Sequence, residues 1–129
     1  MFDRYVIDEK TVRNVLESGK AVGFAFEARL GYYRGLGLSM VEDLIITVDG
    51  KTVDRDLIRF RNNGTDLTLK EMETAYDRRW EFGTPATITV LLPGGLASGR
   101  HKLELKEDLR ISYLPFNGVA FDSKTITIA

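Results

Sequence analysis

Hydrophobic and polar residues alternate with a period of two through most of the chain. From Lys20 the run KAVGFAFEARL sets Val22, Phe24, Phe26, Ala28 and Leu30 on one side and Ala21, Gly23, Ala25, Glu27 and Arg29 on the other. That is the pattern of a strand with one heavy core face. The next clear signal is MVEDLIITVDGKTVD, in which Asp49-Gly50 separates the extended runs IITV and KTV. A pair of that type predicts a tight type I′ hairpin, because both residues tolerate positive φ. DLIRFRNNGTD alternates again and ends in the turn cluster Asn62-Asn63-Gly64. The period changes only between Thr68 and Asp77, where Thr68 and Glu71 have capping-box spacing and Met72, Ala75 and Tyr76 share a helical side; a short helix is expected there. RRWEF, ATITVLL closed by Pro93-Gly94-Gly95, RHKLELKE with Leu103 and Leu105 inward, LRISYLP and KTITIA all read as strands. Short strands joined by Gly, Pro, Asn and Asp turns predict an all-β fold. The expected architecture is an antiparallel β-sandwich, or a partly closed barrel, with one short helix, forming a single domain over residues 1–129.

Composition removes whole classes of function. Lys and Arg total 18 against 19 Asp and Glu, and no basic run exceeds two residues, so the electrostatic footprint expected for nucleic acid or an anionic membrane is missing. The chain has no cysteine, which excludes disulfide scaffolding, thiol nucleophiles and cysteine metal sites. The opening MFDRYVIDEK has no apolar core of a secretory signal, and no apolar run approaches the length of a membrane span. A cytoplasmic location is the expectation.

The residues that could carry chemistry are few. The one histidine, His101, alternates with Leu103 and Leu105; it should face inward near a strand end, and a lone histidine supplies only one of the ligands a metal site needs. Gly31, Gly35 and Gly37 in LGYYRGLGLS lack the preceding strand and following long helix of a dinucleotide fingerprint. The same segment carries Tyr32, Tyr33 and Arg34, and two adjacent tyrosines in extended chain cannot both face the core. A second cluster is Tyr76, Arg78, Arg79 and Trp80, where Arg78 and Trp80 would share a face if RRWEF is a strand, allowing a guanidinium to stack on the indole. Aromatics with arginine are enriched at interfaces. A tyrosine lying on its own sheet and a core tryptophan with an arginine at its rim are the structural alternatives.

RWEFGTPATITVLLPGGLASGRHKLELKEDLRISYLP, with the earlier DEKTVRNV and FAFEARLGYYRGLGLSMVEDLIITVDG, resembles the small β-subunit of bacterial C-glycoside deglycosidases over nearly the whole chain. The likeness is one of strand and turn wording and brings no catalytic motif. It implies a partner, a larger α-subunit with a TIM barrel and a divalent metal, manganese, bound in that partner. The complex of this family cleaves the carbon–carbon bond between a 3-oxo-glucosyl group and a polyphenol such as a flavonoid. The ketone acidifies the neighbouring C2 proton, so the reaction needs a base, a metal to polarise sugar oxygens and a proton donor for the aglycone carbon. The resemblance therefore implies a lyase whose catalytic and metal-binding residues lie in the partner. No catalytic residue, metal ligand or cofactor is assigned to this chain.

Tyr32, Tyr33, Arg34, Tyr76, Arg78, Arg79 and Trp80 remain as candidates for touching substrate or partner. Two other readings stay open: a free-standing carbohydrate- or polyphenol-binding sandwich that stacks ligands on Tyr32, Tyr33 and Trp80, and a complete small enzyme using His101 with a carboxylate.

Overall fold

The computed structural model describes residues 6–32, 35–62, 64–81, 83–111 and 115–128. β1 (Ile7–Glu17) and β2 (Lys20–Ala28) form a hairpin. Its turn, Ser18-Gly19, has φ of 52° and 79°. β3 (Leu36–Gly37) leads through a 3-10 turn, Leu38–Met40, into β4 (Val41–Val48), which turns through Asp49-Gly50 into β5 (Lys51–Thr52). Positive φ at both turn residues, 50° and 83°, gives the expected type I′ geometry. A 3-10 turn at Arg55–Leu57 precedes β6 (Ile58–Asn62) and β7 (Thr65–Thr68), and the one short helix, α1 (Leu69–Met72), follows directly. Its predicted capping box is formed: Glu71 N–H donates to Thr68 Oγ1 at 3.1 Å and Thr68 N–H donates to Glu71 Oε1 at 2.9 Å. β8 (Arg79–Trp80), β9 (Ala86–Leu91), β10 (Gly99–Leu109) and β11 (Gly118–Ile128) complete the order. No helix among the described residues is long and apolar enough to cross a membrane.

Two open antiparallel sheets result, β1-β2-β9-β6-β7 and β11-β10-β4-β5, with β3 and β8 making a separate two-stranded ribbon. The sandwich is thus the arrangement found, not a closed barrel. Alternation puts Phe24, Phe26, Phe60, Ile88 and Val90 of one sheet against Leu44, Ile46, Leu103, Leu105 and Ile126 of the other in one buried cluster. The sheets are also tied along one side, where Ile7 N–H donates to the buried Asp122 carboxylate at 2.8 Å.

Three strand expectations shift, and one strand, β1, was not expected. RRWEF is extended only at Arg79–Trp80, and Phe82 lies outside the described residues. RHKLELKE and the start of LRISYLP are one continuous strand, β10, with residues 112–114 outside the description. The last strand begins at Gly118, six residues before KTITIA. β1 has no clean alternation because its pairing with β2 jumps between Asp8↔Glu27 and Arg13↔Ala25, a bulge that rotates successive side chains out of register. Thr11 repairs the ladder there: its hydroxyl donates to the Asp8 carbonyl at 2.7 Å and accepts from Glu27 N–H at 2.8 Å. Thr11→Val keeps the shape and removes both bonds, so a loss of about 1–3 kcal/mol in chemical unfolding is expected; a loss below about 0.5 kcal/mol would show that the bulge closes without the hydroxyl.

Register places the loops at two ends. Ala28 pairs with both Ile7 and Ala86, and Leu109 pairs with both Val41 and Gly118. The described residues 29–32, 35–40, 83–85 and 115–117 therefore lie at one end, and the 18–19 and 49–50 turns at the other.

Candidate functional site

The segment that follows the first sequence cluster meets the second. Leu36 pairs with Trp80 and Gly37 with Arg79 in the β3–β8 ribbon, and Leu38 N–H donates to the Arg78 carbonyl at 2.9 Å. Arg79 locks the join, donating from Nη2 to the Gly35 carbonyl at 2.9 Å and from Nε to Glu81 Oε1 at 3.0 Å. Both partners of that ion pair are well exposed, so the guanidinium is held in place at the surface rather than spent on stability.

The rings divide differently from the surface reading. Trp80 is fully buried; it packs edge-on against Phe60, with ring centroids 5.0 Å apart at 72°, and its indole N–H donates to the Thr84 carbonyl at 3.0 Å. It presents no surface to a ligand or a partner, and among the described residues no guanidinium stacks on it. Its role is to pin the ribbon to the core. Tyr32 is buried as well, at 5% exposure. Tyr33 and Arg34 lie outside the described residues. A stacking platform built on Tyr32 and Trp80 is therefore corrected by burial. Tyr76, in contrast, is 77% exposed, and Arg78, half-buried, has no ion pair among the described residues. The side chains on display at this site are Tyr76, Arg78, Arg79 and Glu81.

Glu107 was missed by sequence reasoning. It sits in the inward register of Leu103, Leu105 and Leu109, fully buried, and its Oε1 accepts from Gly31 N–H at 2.7 Å. The signal was available: alternation through RHKLELKEDL places a carboxylate where an apolar residue is expected. A buried carboxyl group in that position, bonded to Gly31 N–H, fixes the backbone that leads into Tyr32.

His101 faces the core side as expected, at the other end of the sandwich. Its Nδ1 lies 2.7 Å from Asp49 Oδ2 and its Nε2 lies 2.7 Å from the Ala97 carbonyl. Both partners are acceptors and so favour a proton on each ring nitrogen, and the pKa of His101 is raised, first by the Asp49 bond and next by the Ala97 carbonyl. Asp49 is lowered by the same bond and by Lys102 N–H, which donates at 2.8 Å. Held by acceptors at both nitrogens, the pair has the form of a structural clasp joining the 49–50 turn to the 96–98 loop. Among the described residues no three His, Cys, Asp or Glu side chains come together to hold a metal.

The clasp makes stability depend on pH with a defined sign. The contribution of His101, whose folded pKa is raised, is complete below its unfolded value near 6.5 and fades as pH rises through the folded value. Asp49, lowered from 3.8, contributes fully above that value and loses its contribution as pH falls through its folded pKa. Asp49→Asn keeps the turn residue type and should lower the melting temperature most between these limits and less at pH 9. A difference that is the same at pH 5 and pH 9 would contradict the clasp.

Fold and site together define an antiparallel β-sandwich that builds a paired ribbon of aromatic and arginine residues at one end and contains its histidine in a structural tie. A family model described as C-glycoside deglycosidase beta subunit matches residues 2–113. The chain is 35% identical over 114 residues to the C-glycoside deglycosidase beta subunit of Eubacterium cellulosolvens, covering 88% of this chain and 78% of that one. It is 35% identical over 117 residues to the 3'-dehydrocarminate deglycosidase beta subunit of a Microbacterium species, covering 90% and 83%, and 32% identical over 107 residues to the C-glycoside deglycosidase beta subunit of Microbacterium trichothecenolyticum, covering 81% and 76%. The chain belongs to the C-glycoside deglycosidase β-subunit family.

Proposed function

We propose that this chain is the non-catalytic small subunit of a cytoplasmic, heteromeric C-glycoside deglycosidase, a lyase that cleaves the carbon–carbon bond of 3-oxo-C-glucosides of polyphenols. Its partner in this reading is a larger α-subunit of TIM-barrel fold, which supplies the base and binds the divalent metal, manganese. The observation that carries the proposal is the match to proteins named as β subunits over most of the chain. The site is consistent with a supporting role: its rings are used to build a rigid end, and the exposed Tyr76 and Arg79, with the half-buried Arg78, are suited to bordering a partner's active-site mouth.

Such a subunit contributes by positioning. It holds the edge of the partner's site in one geometry and keeps water from it while the proton is moved and the aglycone departs. The test is an assay of 3-oxo-C-glucoside cleavage with each purified chain alone and with the two combined. Turnover only in the combined sample supports the proposal; turnover by this chain alone would show that it is itself the catalyst.

A further inference from the structure

The outer face of β11 is apolar at one end only. The side chains that turn away from the core are Val119, Phe121, Ser123, Thr125 and Thr127, all exposed, while Ala120, Asp122, Ile126 and Ile128 turn inward. One strand, facing solvent along its length, thus changes from valine and phenylalanine near the 110–117 loop to serine and threonine at the far end. Strand formation asks for no such change, since threonine suits every outward position of an exposed sheet. Phe116, in the loop entering β11, extends the apolar end: it is 67% exposed, and Val119 and Phe121 are 45% exposed each.

Together these three side chains show on the order of 300 Å² of apolar surface, the size of a functional patch on a monomer. Alone that is too little for a stable complex, which needs about 800 Å² per partner, but it matches the apolar centre of such an interface. The surroundings supply a rim. Lys106 stands opposite Phe121 and Asp108 opposite Val119 in the β10–β11 ladder. Beyond them Arg110 pairs with Glu42 at 3.0 Å and donates to the Ser39 carbonyl at 2.9 Å. That last bond reaches the 38–40 turn, which continues directly from the β3–β8 ribbon. The patch and the arginine-bearing ribbon are therefore parts of one continuous end of the molecule.

We infer that Phe116, Val119 and Phe121 are the apolar centre of the surface that docks the large subunit, against an apolar strip bordered by charges of both signs. The inference rests on the subunit reading above, because a β subunit must keep one face for its partner.

The test measures binding of this chain to the immobilised large subunit by interferometry. Phe116→Ser combined with Phe121→Thr is expected to weaken binding by about a hundredfold or more, as for truncation of central anchors, with an unchanged melting temperature. Leu16→Ser, which alters an equally exposed residue at the opposite end, should bind as the parent chain does. Should the double substitution disturb folding, Phe116→Ser alone, in a loop outside any ladder, carries the same test with an expected loss of about tenfold. If the substituted chains bind as tightly as the parent, the surface is elsewhere and the subunit reading stands. A parent chain that shows no binding to the large subunit overturns both. A parent chain that runs as a dimer, converted to monomer by the double substitution, assigns the face to a second copy and overturns the docking inference.

Discussion

Trp80→Ala is expected to destabilise the chain by about 3–5 kcal/mol, the range for removing a fully buried tryptophan. Three consequences coincide. A cavity opens beside Phe60, the edge-to-face pair is lost, and the Thr84 carbonyl loses the indole N–H. Because Trp80 pairs with Leu36 in the ribbon, the loss should also loosen segment 35–38, visible as faster amide exchange there than in β10. Trp80→Phe refills part of the space without the hydrogen bond and should cost less, about 1–2 kcal/mol. If Trp80→Ala left stability unchanged while abolishing assembly, the ring would have to contact a partner, against its burial.

Gly31→Ala is the second large effect. A methyl group at Gly31 would collide with the Ala120 methyl and lie 3.1 Å from Glu107 Oε1. Ala120 sits in β11, paired along its whole length with β10, so neither neighbour can yield cheaply. Overpacking costs about 1–3 kcal/mol, and displacing Gly31 N–H from the buried Glu107 carboxyl leaves buried polar groups unsatisfied at about 1–3 kcal/mol more, so a total of about 3 kcal/mol is expected. Chemical unfolding of the single variant, and of Gly31→Ala with Ala120→Gly, separates the two causes. The second substitution should recover part of the loss by making room. No recovery would mean that the collision is not the source.

How much of this was readable beforehand depends on the range of the interaction concerned. The Asp49-Gly50 turn, the Thr68–Glu71 capping box and the heavy face of β2 were legible because each is decided by residues within a few positions of one another. β1 was not, because a bulge destroys the alternation by which a strand is recognised. The ribbon was not legible as a ribbon: two residues per strand give no period, and its pairing joins segments some forty positions apart. Of the residues it unites, Arg79 and Trp80 had been singled out by type, whereas Leu36 had not. What type could not show is direction. Trp80 and Tyr32 face in and Tyr76 faces out, and Glu107 occupies a core position because the backbone of Gly31 requires an acceptor there. Val119 and Phe121 of β11 have the letters of a core strand, and only the register with β10 and their exposure reveal that they point outward.

The central claim is that this chain works as one component of a heteromer. Co-expression with the large barrel subunit, followed by size-exclusion chromatography with native mass measurement of the eluted species, tests it most directly. The account predicts a single species containing both chains in a fixed ratio, in which this chain no longer elutes at its own mass. Separate elution of the two chains at concentrations well above micromolar, with this chain stable and monodisperse alone, would contradict it.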